Sequence, residues 1–240
     1  MSKCFFKEPE KYMSKNDFLD PDNPKIVKFV PEKQPVEIKV TYQIYKTFFP
    51  QDMNINFKSL QISNIGIYSI AKPDISTHIC KLILKTTKTS AVTITDALAN
   101  VGGMTIMFAK YFKKVNACEI VPMHCDILRN NLKVFSLDNK VNVICNDYMD
   151  VMFDIQQDVI FFDPPWGGRS YKNTNDMDLG INNVNIVCII NQLLPFANYI
   201  VMRVPFNYNF NFLIKKCNAK IKIYKLLPSN QVLLFFRRSK

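Results

Sequence analysis

Histidine is nearly missing from this 240-residue chain, with only His78 and His124, and tryptophan occurs once, at Trp166. Neither histidine lies beside a candidate nucleophile elbow, so a His-based catalytic triad is not expected. Seven cysteines (Cys4, Cys80, Cys118, Cys125, Cys145, Cys188, Cys217) are scattered without a Cys-x-x-Cys pair. Cys118, His124 and Cys125 come nearest to a ligand cluster but lack the paired spacing of a zinc site, so no metal is expected. The cysteines read as reduced thiols, several of them on core strands. No stretch comes near the ~18–20 uncharged apolar residues needed to cross a bilayer. The start, Met1-Ser2-Lys3-Cys4-Phe5-Phe6-Lys7-Glu8, hems its apolar pair in with charge, unlike a signal peptide. A soluble, intracellular protein with no membrane partner is expected. Internal repeats and low-complexity segments are also lacking.

What is abundant points toward a polyanion. Lys and Arg total 31 against 20 acidic residues, giving a formal charge of +11 and a pI near 9.3. The Lys-, Asn-, Ile- and Phe-rich usage of an AT-rich genome would give the same excess, so charge alone leaves the partner open. With 48% hydrophobic residues, including 19 Phe, 10 Tyr and 10 Met, the length suits one α/β domain with an appendage. A monomer is expected.

The division expected is an N-terminal arm and accessory extension over residues 1–60, then one domain over 61–240. Five of the 13 prolines (Pro9, Pro21, Pro24, Pro31, Pro35) fall before residue 36, which reads as an extended, partly mobile arm. The aromatic and basic stretch from Val36 to Leu60 reads as a helix or strand packing on the domain. Lys72-Pro73-Asp74 starts a helix running to about Lys85, with Ile75, Ile79, Leu82 and Ile83 at helical spacing.

Strands and helices then alternate. Strands are expected at 91–97, 115–120, 141–146, 158–162 and 199–204. Helices are expected at 102–114, 122–135 and 184–194. Near-continuous apolar strands between amphipathic helices imply a parallel sheet covered on both faces. Segments 220–227 and 231–237 are joined only by Pro228-Ser229-Asn230, which forces an antiparallel hairpin.

Ligands of open α/β sheets sit at the carboxyl ends of the strands. The first strand runs into Asp96-Ala97-Leu98-Ala99-Asn100-Val101-Gly102-Gly103, where Gly102 and Gly103 let the backbone turn sharply and approach a ligand. Asn100 stands where glycine is usual, and Asn tolerates left-handed angles better than other side chains. The second strand ends at Glu119, placed to accept from both hydroxyls of a ribose; the third is followed by Asp147, placed near an adenine amine. Glu119 lies 23 residues after Asp96, a spacing that also fits a nicotinamide enzyme, but no Gly-x-Gly-x-x-Gly is present. Taken alone, the first loop is equally an ordinary strand–helix turn.

The fourth strand delivers its end into Asp163-Pro164-Pro165-Trp166-Gly167-Gly168. The exocyclic nitrogen of a nucleobase is a poor nucleophile because its lone pair is delocalised into the ring. Acceptors for its N–H groups, here Asp163 and the Pro164 carbonyl, would help localise that pair. Two prolines hold the acceptors in place. Trp166 offers a stacking face, and Gly167-Gly168 leaves space beside it. The competing reading, a Pro-rich turn with Trp166 as a core anchor, fits less well with the sole tryptophan at the functional edge of the sheet.

These motifs resemble the trimethylguanosine synthase family of cap hypermethylases over roughly residues 39–240. The family loop Asp-Ala-Phe-Cys-Gly-Val-Gly-Gly is matched by 96–103, and its Ser/Asp-Pro-Pro-Trp-Gly-Gly run with a following Tyr by 163–168 and Tyr171. Gly66-Ile67-Tyr68-Ser69 matches its aromatic-Ser segment, and Arg129-Asn130-Asn131 its Arg-Asn-Asn. The resemblance implies an α/β, Rossmann-like class I methyltransferase fold: a mostly parallel seven-stranded sheet, a C-terminal antiparallel hairpin and a small N-terminal extension. It implies methyl transfer from S-adenosylmethionine to N2 of a 7-methylguanosine cap, hence capped RNA as partner. Asp96, Ala97, Asn100, Gly102, Glu119, Asp147 and Asp163 would hold the cofactor, while Asp163, Pro164 and Trp166 carry the chemistry. Stacking of the N7-methylated, cationic base on Trp166 would gain ~1–2 kcal/mol of cation–π attraction. By the same carry-over Asn131 touches the base, Lys39 and Tyr171 the triphosphate, and Phe48 closes the site.

Two positions depart from the family pattern. Ala99-Asn100 replaces Cys-Gly, and Phe206 replaces a basic residue, leaving Arg203 or Arg169 to supply a phosphate contact. A degenerate cap-binding protein, or an enzyme acting on adenine, cytosine or glutamine amines, therefore stays open.

Overall fold

Strands this apolar need cover on both faces, and the computed structural model, which describes residues 34–238 but not the side chains of Arg169 and Ser170, shows how that cover is built. The described chain opens with β1 (Glu37–Ile38) and α1 (Tyr42–Phe48), whose first turn is capped by Thr41 accepting from the Ile44 N–H (3.2 Å). β2 (Ile62–Ser63) pairs antiparallel with β1, and α2 (Gly66–Ser69) is a single turn. α3 (Pro73–Thr87) starts on a proline and ends at Lys88 in the left-handed region (φ 60°). Most of the expected arm, residues 1–33, lies outside the described residues.

The alternation follows: β3 (Thr93–Asp96), α4 (Gly103–Tyr111), β4 (Lys114–Glu119), α5 (Pro122–Val134), β5 (Val141–Cys145), α6 (Tyr148–Val151) and β6 (Val159–Phe162). Then come β7 (Gly180–Ile181), β8 (Val184–Asn185), α7 (Ile186–Leu193), β9 (Tyr199–Pro205), α8 (Phe210–Lys216), β10 (Ala219–Leu226) and β11 (Gln231–Arg238). Seven strands form one sheet in the order β10-β11-β9-β6-β3-β4-β5. β3, β4, β5, β6 and β9 are parallel; β11 runs antiparallel to β9, and β10 to β11. This is the class I methyltransferase sheet. The chain winds outward from β3 to β5 and crosses back to β6, so the switch point, where ligands of such sheets bind, lies between β3 and β6.

Two expectations are corrected. The helix expected over 184–194 begins later, because Val184 and Asn185 form β8 against β7 and the Asn185 side chain then caps α7 through the Val187 N–H (2.9 Å). The reading of every cysteine as a thiol fails at one pair. β5 lies parallel to β4 with Cys145 opposite Glu119, and α5 packs back over it, so Cys125 meets Cys145 with Cα atoms 5.9 Å apart and the two form a disulfide. Cys80, Cys118, Cys188 and Cys217 are free, and Cys4 lies outside the described residues.

The described part of the accessory extension shares its core with the sheet. Phe49 and Ile62 are fully buried with Tyr45 and Leu60 against Ile79, Ile83 and Phe108. Fully burying such a side chain contributes about 1.5–3 kcal/mol. Asn131 on α5 fastens the junction: its Oδ1 accepts from the Gln61 N–H (2.9 Å), and its Nδ2 donates to the Gln61 (2.9 Å) and Val101 (3.1 Å) carbonyls.

Candidate active site at the strand ends

The ends of β3, β4 and β6 converge because of register. The Ala97 N–H donates to the Phe161 carbonyl (3.0 Å), and the Ala99 N–H to that of Cys118 (2.8 Å), so the loop after β3 lies between the ends of its neighbours. Asn100 holds the turn at φ 49° and Gly102 at φ 100°, the left-handed angles that glycine or asparagine tolerates. A side chain on Gly102 would also strike Leu128 (2.5 Å from the Cβ position), which ties the loop to α5. The Asn-for-Gly exchange therefore leaves the turn formed.

Three carboxylates line this end. Asp96 is 1% exposed and accepts from the Thr105 hydroxyl (2.7 Å). Burial is the main cause that pushes its pKa up to about 7; the charges of Asp163 and Glu119 add, and the Thr105 hydrogen bond opposes. Glu119 accepts the Asn100 N–H on one oxygen and the Val121 N–H on the other, both at 2.8 Å. His124 stands 3.8 Å from that carboxylate and is hydrogen-bonded through its other nitrogen to the Ser63 hydroxyl (2.9 Å). Asp147 caps α6 through the Met149 N–H (2.9 Å) and accepts from Asn182. A carboxylate has about four acceptor positions, so Glu119, with two backbone N–H groups bound, keeps capacity for a ligand's hydroxyl.

Asp163 follows β6. Register pairs Phe162 with Met202, so the next residues along the two strands, Asp163 and Arg203, stand opposite each other. Arg203 Nε donates to Asp163 Oδ1 (2.9 Å) and Nη2 to Oδ2 in a bidentate pair. Burial raises the Asp163 pKa while the Arg203 charge and hydrogen bonds pull it back. The guanidinium also lies over the Trp166 ring, 5.2 Å from its centroid, and Tyr171 meets the indole edge-on at 5.2 Å. Trp166 is half-buried at the margin of the core, and the position of a Cβ on Gly168 has no atom within 4 Å.

Two buried polar atoms here lack a partner: the Asn100 Oδ1 acceptor and the Trp166 indole N–H donor. Each such atom costs about 1–3 kcal/mol. Together with the spare carboxylate positions they fit a nucleoside-bearing ligand such as S-adenosylmethionine. A cleft of about 740 Å³ lies at the opposite end of the sheet, against the strand starts Thr93, Lys114 and Val141, away from these groups.

The sequence-derived candidates thus separate. Asp96, Ala97, Asn100, Gly102 and Glu119 form one loop system, with Asp147 at the end of β5; Asp163, Pro164, Trp166 and Tyr171 form the other wall. The expected base contact by Asn131 is contradicted: it is fully buried and both ends of its amide are held by backbone. Arg203 is occupied by Asp163 and Trp166 rather than held out for phosphate. Lys39 is exposed just beyond β1, Phe48 packs at the end of α1, and the Arg169 side chain is outside what is described. Missed by sequence reasoning were the Asp163–Arg203 pair, the Ser63–His124 support of Glu119, and the packing role of Gly66 within the segment matched to the family. A Cβ on Gly66 would sit 2.7 Å from Val101 in the loop after β3.

Among the described residues, no group of three or more His, Cys, Asp or Glu could hold a metal, and no helix is long and apolar enough to cross a membrane. A family model described as RNA cap guanine-N2 methyltransferase matches residues 91–232. A protein of Acanthamoeba polyphaga mimivirus without an assigned function is 35% identical over 124 residues, 50% of this chain and 48% of its own. The trimethylguanosine synthase of Schizosaccharomyces pombe is 28% identical over 136 residues, 54% of this chain and 51% of its own. The chain spans about half the length of these curated relatives. A crystal structure assigned as an RNA methyltransferase from Pyrococcus horikoshii shares the fold, with TM-score 0.52 at 14% identity, over 71% of this chain and 87% of that one.

Proposed function

Because this chain belongs to the family of RNA cap guanine-N2 methyltransferases, we propose that it methylates the exocyclic N2 of a 7-methylguanosine cap on RNA, with the base held against Trp166. S-adenosylmethionine, when bound, supplies the electrophilic methyl group. Asp96, Asn100, Glu119 and Asp147 hold and orient it from the ends of β3, β4 and β5. The Asp163 carboxylate accepts a hydrogen bond from the N2 amine, which concentrates its lone pair toward the methyl. The Pro164 carbonyl serves as a second acceptor, and the proline pair keeps both in place without further ordering. Trp166 stacks the base, and a cationic 7-methylguanine gains from its ring face. Tyr171, Lys39 and Arg169 are assigned to the triphosphate, and Phe48 to the rim.

The observation that carries this reading is the pairing of a part-buried carboxylate with a half-buried indole beside open space, directly across the switch point from the loop after β3. Incubating a 7-methylguanosine cap dinucleotide with the protein and S-adenosylmethionine, then analysing it by mass spectrometry, tests it. One or two added methyl groups that fragment with N2 are expected; an unmodified dinucleotide would overturn the reading.

A further inference from the structure

Asp163 and Trp166 are held by the same side chain. Arg203, on β9 and 8% exposed, grips the Asp163 carboxylate with two donors and lays its guanidinium plane 5.2 Å from the centroid of the Trp166 ring. Resting on the reading above, we propose that Arg203 is the positioning residue of the acceptor site: it keeps Asp163 an ionised hydrogen-bond acceptor and fixes the indole from one face, leaving the other to the base.

A carboxylate this enclosed takes up a proton when its cation is removed, and a protonated carboxyl presents an O–H donor in place of one acceptor. An amine offering two N–H donors needs the acceptor form. Burial already raises the Asp163 pKa, and Arg203 is the group that opposes it. The other charges facing Asp163 are anionic: Asp96 from β3, with Glu119 from β4 behind it. β11 sets Leu233 opposite Arg203 and contributes no charge at that position. Finally, the ion pair is neutral overall, so a fixed cation sits on the indole without leaving net positive charge to repel a cationic base.

The full chain offers its own reporter, since Trp166 is the sole tryptophan. Arg203→Gln, Arg203→Lys, Asp163→Asn and the Arg203→Gln/Asp163→Asn double variant are compared by two readouts across pH 5.5–8.5. One is quenching of Trp166 emission by 7-methylguanosine triphosphate; the other is methyl transfer to a capped dinucleotide. Arg203→Gln is expected to lose about 100-fold in transfer at neutral pH. Its acid limb should move upward, and protein emission should titrate with pH where the wild type is flat. S-adenosylmethionine affinity should be unchanged. Arg203→Lys keeps the charge without the fork, so it should keep the wild-type pH profile at reduced rate. The double variant should be no worse than Arg203→Gln, because the neutral amide that replaces the Asp163 carboxylate needs no counter-charge. An unchanged pH profile and emission in both Arg203 variants, or tighter binding of the nucleotide by Arg203→Gln, would overturn the assignment. Wild-type protein that leaves the cap unmethylated yet shows the expected emission behaviour would remove the cap reading and keep the role of Arg203.

Discussion

The two halves of the site differ in what holds their polar groups, although each keeps one buried polar atom without a partner, Asn100 Oδ1 in one and the Trp166 indole N–H in the other. On the β3–β5 side, Asp96, Glu119 and Asp147 are each tied to backbone or side-chain donors, and Glu119 has His124 and Ser63 behind it. On the β6–β9 side, a largely buried ion pair backs a half-buried indole, and the indole N–H has no acceptor among the described residues. The first half resembles a socket whose shape exists before the ligand arrives. The second leaves the Trp166 indole N–H without an acceptor beside its ion pair. Under the proposed function, the first half would hold the cofactor and the second would select the acceptor.

Substitutions should respect that division. The largest effect is expected for Trp166→Ala, which should lower transfer to a 7-methylguanosine cap by ~100-fold or more while leaving S-adenosylmethionine affinity intact. Calorimetry and a transfer assay on the same preparation check both numbers; a matching loss of cofactor affinity would erase the division. Next is Glu119→Gln, which removes charge-assisted acceptance from a ligand and should weaken cofactor binding ~10–100-fold with little change in cap affinity.

A smaller effect follows from Asp96, whose pKa stands near 7 against an ordinary 3.8. Its ionised form is the one that attracts a sulfonium cation. Cofactor affinity should rise ~10-fold per pH unit up to about 7 and level off above it, with proton release on binding. The folded chain holds this proton more tightly than the unfolded chain, so the stability Asp96 contributes is full below pH 4 and lost as pH rises through 7. Asp96→Asn should flatten both slopes, as seen by calorimetry at several pH values. The smallest effect on recognition belongs to Asn131→Ala. It should cost ~1–3 kcal/mol of stability through the lost Gln61 and Val101 contacts, yet leave the KM for a capped substrate nearly unchanged in the folded protein. A large KM increase without destabilisation would restore Asn131 to the base.

Features that depend on local pattern were legible in the sequence. Apolar runs between amphipathic segments defined the parallel sheet, and the three residues between 227 and 231 forced the hairpin. The left-handed turn at Asn100 followed from its side-chain chemistry. The motif from Asp163 to Gly168 could be placed at a strand end because the preceding apolar run is so short. Contacts set by distant register were not legible. Asn131 meets Gln61 across 70 residues, Ser63 meets His124 across 61, and Arg203 meets Asp163 across 40. An acidic residue at a position where the family also admits serine, together with an arginine at the end of the next parallel strand, was the available sign of that last pair. The Cys125–Cys145 bond escaped for the same reason, since it joins a helix to a strand end rather than two neighbours in the chain.

The central claim is that the acceptor half selects a cationic base by stacking it on Trp166. Measuring transfer to 7-methylguanosine-capped and to unmethylated guanosine-capped dinucleotides, side by side with saturating S-adenosylmethionine, tests it most directly. Preference for the 7-methylated cap by ~5–30-fold, the equivalent of the cation–π attraction, is predicted, and it should vanish in Trp166→Ala. Equal rates on the two dinucleotides in the wild-type protein would contradict the account.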